Sequence, residues 1–136
     1  MRRENDIIEW LTNYAKDNNI DVEFVHNRPD YACQAIPEYQ MVIINLNWKN
    51  QKEIPFAIGH ELGHIICKHN VSNYYQSFNS TSKMEHEADL FSIKLLLCYA
   101  VNTNQTLTNP YQFINQFGIP TKMYEDTKMI FKKLIN

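Results

Sequence analysis

The run His60-Glu61-Leu62-Gly63-His64 constrains this chain more than any other. Two imidazoles four apart on a helix, with a carboxylate beside the first, form the pattern of a zinc site that carries its own base. Pro55 suits the first turn of such a helix, and a periodic run from Phe56 to about Lys68 follows it. At 100° per residue, Ile58, Leu62, Ile65 and Ile66 fall on one side and His60 and His64 roughly on the other. One face can therefore join a core while the other points into a cleft.

A helical His pair supplies two ligands, whereas catalytic zinc generally takes three from the protein and leaves a position for water. The third is expected in Glu85-His86-Glu87-Ala88-Asp89, where Glu85 and Asp89 share a helix face and Ala88 between them permits close helix approach. Glu85 is the expected third ligand. Asp89, one turn on, is placed to accept the hydrogen bond from the non-coordinating nitrogen of a ligand imidazole. An acidic residue inside an otherwise apolar helix needs such a partner. A competing reading takes Ser82-Lys83-Met84-Glu85 as a capping box, in which Glu85 only closes a helix start. Glu87 points away from Glu85 and is expected in solvent, and His69 and His86 at the surface or the edge of the core. His26, Tyr74 and Tyr75 are candidates to stabilise an oxyanion, but nothing chooses among them and the role stays unassigned.

Around these motifs the chain reads as one domain over residues 1–136, since 136 residues, 44% of them hydrophobic, support one modest core. Ile7, Ile8, Leu11, Tyr14 and Ala15 predict an amphipathic helix over about residues 4 to 17. Three β-rich runs, Asp21 to His26, Tyr31 to Ala35 and Met41 to Leu46, predict a small, mostly antiparallel sheet. The segment Met41–Asn45 reads either as an edge strand able to hold an extended peptide or as an interior strand. Residues 70 to 82 read as a loop, rim or lid of a site if ordered, and Lys83 to Ala100 as a helix apolar almost all round, too short to span a membrane. Segments 111–117 and 121–134 predict two closing helices.

Thirteen basic and fifteen acidic residues leave no strong electrostatic attraction for nucleic acid or an anionic membrane, so a protein or peptide partner is expected. The first residues lack the apolar core and cleavage site of a secretory signal, which predicts a cytoplasmic protein. Cys33, Cys67 and Cys98 are odd in number, widely spaced and in apolar surroundings, and are expected to be buried free thiols.

The first motif, followed by Glu85-x-x-Ala88-Asp89, Phe91 and Leu95-Leu96-Leu97, resembles the ImmA/IrrE family of small zincin-like metallopeptidases. The resemblance runs from the first helix through about Leu97, after which Cys98-Tyr99 stands where many members carry Met-Pro. It implies an α+β, zincin-like fold: a three-stranded sheet packed with an N-terminal helix, the motif helix and a second ligand helix. It also implies that the substrate is a helix-turn-helix repressor of a phage or mobile element. On this reading Zn2+ is held by His60, His64 and Glu85, and Glu61 is the general base and later acid. The alternative is a regulatory module that sequesters a repressor without cutting it, although retention of Glu61 favours the enzyme. A closed structural zinc site needs a fourth ligand, and Cys67 lies about 10 Å along the helix axis from His60, too far to be one.

Overall fold

The computed structural model describes residues 2–69, 78–107 and 109–135. Helix α1 (Arg2–Asp17) is followed by strands β1 (Asp21–Val25), β2 (Gln34–Ile36) and β3 (Met41–Asn45), then by helices α2 (Ile54–Ile66), α3 (Phe78–Asn102), α4 (Pro110–Phe117) and α5 (Tyr124–Ile135). Ile7, Leu11 and Ala15, spaced four apart, turn the inner face of α1 into the core, and Trp10 and Tyr14 pack at its margin. Of the apolar residues of α2 that the sequence assigns to the core, Ile58, Leu62 and Ile65 are buried in it, and Ile66 packs partly buried at its margin.

The sheet has the order β1-β3-β2. The expectation of a mostly antiparallel sheet is wrong, because β1 runs parallel to β3 over five residues, Asp21 beside Met41 to Val25 beside Asn45. Only the three-residue β2 is antiparallel to β3. A one-turn 3-10 segment, Pro37–Tyr39, reverses the chain between β2 and β3. β1 is not hairpinned to β2; it lies along the other side of β3 and so runs in the same direction. Placing β3 in the middle suits its composition, since Val42 and Ile44 are fully buried. It also removes the edge-strand reading of Met41–Asn45 as a whole: β1 takes one edge along its full length and β2 takes the other from Met41 to Ile43.

Asn45, at the end of β3, is 1% exposed and organises the loop after β1. Its side-chain oxygen accepts from the backbone N–H of Asn27 (2.9 Å) and Asn47 (3.0 Å), and its amide donates to the carbonyls of Arg28 (2.7 Å) and Tyr31 (2.9 Å). Three of these side-chain bonds to main chain replace the ladder that this loop lacks, and the fourth ties in the turn after β3.

Helix α3 begins at Phe78, not after residue 82, so part of the expected loop is helical; residues 70–77 lie outside the described residues. From Ser92 to Ala100 only Lys94 and Cys98 are exposed, which matches a helix apolar almost all round. The cysteines are free, but Cys67 and Cys98 are exposed and Cys33 is half-buried. The expectation of buried thiols fails because Cys67 falls just past the end of α2 and Cys98 shares the narrow solvent stripe of α3 with Lys94. Among the described residues no helix is long and apolar enough to cross a membrane.

Candidate metal centre

Helices α2 and α3 pack antiparallel, and the contact between them is built from small residues. A Cβ added at Gly59 would fall 2.3 Å from Ser92 Oγ, and one at Gly63 would fall 3.1 Å from Ala88 Cα. No larger residue than glycine fits at Gly59 without moving the opposite helix. The two backbones therefore come close enough for short side chains on one helix to meet those on the other.

On α2 this seam carries His60 and His64, and on α3 it carries Glu85 and Asp89. His60 Nε2 lies 2.9 Å from Glu85 Oε1, and His64 Nε2 lies 3.1 Å from Glu85 Oε2. The two Nε2 atoms are 3.2 Å apart. Each of the three residues thus offers a ligand atom, all within 4.8 Å of one another. His60 Nδ1 lies 2.7 Å from Asp89 Oδ1. A carboxylate accepts, so Nδ1 is the nitrogen of His60 that donates, and its Nε2 faces Glu85. Lys122, from the turn before α5, sits 3.9 Å from the other Asp89 oxygen.

The sequence reading thus brings His60, His64, Glu85 and Asp89 to one place. The capping-box alternative for Glu85 falls away, since α3 starts at Phe78 and Glu85 stands inside the helix. His26 is exposed at the end of β1 and is not among these residues, and Tyr74 and Tyr75 lie outside the described residues. His86 is exposed, as expected, beside Asp126 (3.1 Å). His69 was expected at the surface or the core edge, but it is 7% exposed and meets His64 Nδ1 at 2.9 Å. Glu87 is half in solvent, as expected, yet it accepts from His69 Nε2 at 2.7 Å. Nothing in the pattern signalled this pair, because it depends on how the chain turns after α2.

The electrostatics belong to a site that holds positive charge. Burial works against the charged form of His60, but the Asp89 and Glu85 carboxylates at its two nitrogens outweigh burial and raise its pKa to about 10. Hydrogen bonds from His60 and His64 hold Glu85 well below the usual carboxylate range. Burial pushes Glu61 up to about 8, beyond what the neighbouring His60 charge takes back. Two imidazole nitrogens and a carboxylate facing one another form a donor set that fits a divalent ion such as Zn2+.

Beside the histidines is a cavity of about 270 Å³, walled by Ala32, Cys33, Trp48, Phe56, Ala57 and Pro120, with His60, Glu61 and Asp89 at its edge. A larger hollow, about 440 Å³, lies over Ile7, Leu46, Tyr99 and Phe117 and is lined by no histidine or carboxylate. The smaller one joins an apolar wall to the acid–base groups of the His–Glu cluster, the combination expected of a site for a substrate side chain.

The family model Peptidase_M78, described as IrrE N-terminal-like domain, matches residues 10–123, a span that takes in α1 through the turn before α5 and every candidate residue above. No curated protein and no solved structure matches the chain.

Proposed function

Since the chain belongs to the IrrE N-terminal-like peptidase family, we propose that it is a zinc-dependent, zincin-like endopeptidase whose substrate is a helix-turn-helix transcriptional repressor. The observation that carries the enzymatic reading is the convergence of His60 Nε2, His64 Nε2 and the Glu85 carboxylate, with His60 and Glu61 both lining the neighbouring cavity. His60, His64 and Glu85 would hold the metal, and a divalent ion there would supply Lewis acidity toward the scissile carbonyl and the attacking water.

The remaining chemistry belongs to the chain's own side chains. Glu61, next to His60 on the same helix, takes a proton from the attacking water and returns it to the leaving amine. Burial raises its pKa, which makes it a stronger base than an exposed carboxylate. Asp89 keeps His60 in the tautomer that presents Nε2. The apolar cavity beside Glu61 takes a substrate side chain and excludes water from one flank of the bond. The repressor as substrate is supported by the resemblance of the motifs, and a near-neutral chain with no strongly basic balance suits a protein partner.

The test is to co-express the chain with a helix-turn-helix repressor encoded at the same locus and to measure the repressor's intact mass, with wild type and with Glu61→Gln. Fragments with wild type alone establish a site-specific peptidase. An intact repressor that co-purifies with both versions favours sequestration, and cleavage by pure, metal-loaded Glu61→Gln overturns the role of Glu61.

A further inference from the structure

The end of helix α2 is built in a way that the metal ligands alone do not explain. Lys68 N–H donates to the Ile65 carbonyl (3.0 Å) and His69 N–H to the His64 carbonyl (2.9 Å). This is a helix end reversed through a single left-handed residue, here Lys68 with φ 59°. Helices α1, α3 and α4 end through the same pattern of bonds, Ile20 to Ala15, Gln105 to Ala100 and Ile119 to Ile114. Their left-handed residues are Asn19, Asn104 and Gly118, types that reach this conformation readily. Lysine does not, so α2 accepts strain at its end that the others avoid.

The reason lies in what the reversal brings together. In this motif the residue after the left-handed position packs against the helical residue whose carbonyl it caps, usually as an apolar pair. Here the pair is His69 and His64, with their Nδ1 atoms 2.9 Å apart. Glu87, reaching across from α3, lies 2.7 Å from His69 Nε2. The carboxylate only accepts, so the hydrogen of His69 sits on Nε2 and its Nδ1 carries a lone pair. His64 then donates from Nδ1 to His69, which leaves Nε2, 3.1 Å from Glu85 Oε2, as the nitrogen open to a metal once the hydrogen it gives to Glu85 is displaced. Asp89 does the same for His60 directly; Glu87 does it for His64 through one intervening ring.

We propose that His69 and Glu87 are positioning residues for the divalent metal: Glu87 fixes the tautomer and orientation of His69, and His69 fixes those of His64. The inference rests on the metal-site reading given above. Partners one step from a ligand typically change metal affinity 10- to 100-fold when removed, and a partner two steps away should change it less.

The experiment measures the affinity of the purified chain for Zn2+ and Co2+ by competition with a chromogenic chelator, and records the visible absorption of the cobalt-loaded protein. The variants are Glu87→Ala, Glu87→Gln, His69→Phe, the His69→Phe/Glu87→Ala double and Glu85→Ala. Because Glu87 is about half exposed, its variants keep the fold even if His69→Phe does not. Glu87→Ala is expected to weaken metal binding about three- to tenfold and to shift the cobalt spectrum. Glu87→Gln, which keeps an oxygen acceptor but removes the charge, is expected to stay within about twofold of wild type. His69→Phe is expected to lose about 10- to 100-fold, with no further loss in the double variant. Wild-type affinity in Glu87→Ala overturns the proposal. So does Glu87→Gln falling as far as alanine, which reduces the effect to charge, or full additivity in the double variant. If Glu85→Ala leaves metal binding intact, the metal site itself is wrong and the proposal goes with it; if Glu85→Ala abolishes binding while Glu87→Ala does not weaken it, only the relay is wrong.

Discussion

Replacing Gly59 by alanine tests whether the α2–α3 seam sets the geometry of the metal centre. The new Cβ would sit 2.3 Å from Ser92 Oγ, 3.0 Å from Ser92 Cβ and 3.1 Å from Ser92 Cα. The hydroxyl can rotate away, but it then gives up its 2.8 Å bond to the Phe56 carbonyl, a loss of about 1 kcal/mol. The two carbon contacts remain, and the Cα can yield only if α3 moves by a few tenths of an ångström. Overpacking of this kind costs about 1–3 kcal/mol. Alanine recovers about 1 kcal/mol of helix propensity, which leaves a net destabilisation of about 1–3 kcal/mol. The displacement carries Glu85 away from the two imidazoles, so metal affinity should fall together with stability. Urea unfolding gives the first quantity and chelator competition the second. Adding Ser92→Gly removes both Oγ and Cβ from the clash, and the double variant should be more stable than the sum of the singles by about 1 kcal/mol or more. If Gly59→Ala is as stable as wild type, or gains the full propensity of alanine, the reasoning about the seam is refuted.

Lys68→Gly should stabilise the protein by about 0.5–1 kcal/mol, a rise in thermal midpoint of about 2–4 °C, because glycine takes the left-handed conformation without strain; a fall in the midpoint contradicts this. Metal uptake at pH 7–9 should release at least one proton, since His60 stays protonated up to about 10 and must give up that proton to coordinate. The sign follows: apparent affinity rises about tenfold per pH unit and levels off above about 10. Calorimetry in two buffers of different ionisation enthalpy reads the proton directly, and its absence at pH 8 would contradict the charge state given to His60. Asn45→Ala should cost about 2–4 kcal/mol, because it strands one donor and two acceptors of the loop after β1 and the Asn47 N–H after β3, all in part-buried bonds; a urea midpoint equal to that of wild type would show that the loop holds itself.

How much of this was legible depends on how local the determinant is. The helix phase of His60, Ile58 and Leu62 follows from 3.6-residue geometry, and the matching four-residue spacing of Glu85 and Asp89 identified which residues would meet it. Those features need only the residues on one helix to be read in register. Sheet topology was not readable in the same way, since the apolar run Met41–Asn45 says that a strand is buried but not which neighbours bury it. β1 runs parallel to β3 because β2 takes the opposite edge, a choice made by the whole fold. His69 was missed for a more specific reason. Its place beside His64 requires Lys68 to adopt a conformation for which lysine gives no signal, whereas Asn19, Asn104 and Gly118 at the other helix ends are recognisable stop residues. The start of α3 at Phe78 was obscured by the polar composition of Asn79 to Ser82, which hides a helix stabilised farther along by packing.

The seam between α2 and α3 has a consequence for how such a site can diversify. With Gly59 against Ser92 and Gly63 against Ala88, a larger residue at either glycine must push α3 aside, so the ligand geometry depends on these two positions staying small. Much of the wall of the neighbouring cavity comes from outside the helix pair: Ala32 and Cys33 from the loop that Asn45 anchors, Trp48 from the segment after β3, and Pro120 and Lys122 from the turn before α5. Of these, Lys122, 3.9 Å from Asp89, bears on the ligand helices. Selection for a new target can therefore rewrite the loops one at a time while the reactive centre is inherited unchanged, and grafting those three segments between relatives with Lys122 kept should move specificity without touching the chemistry.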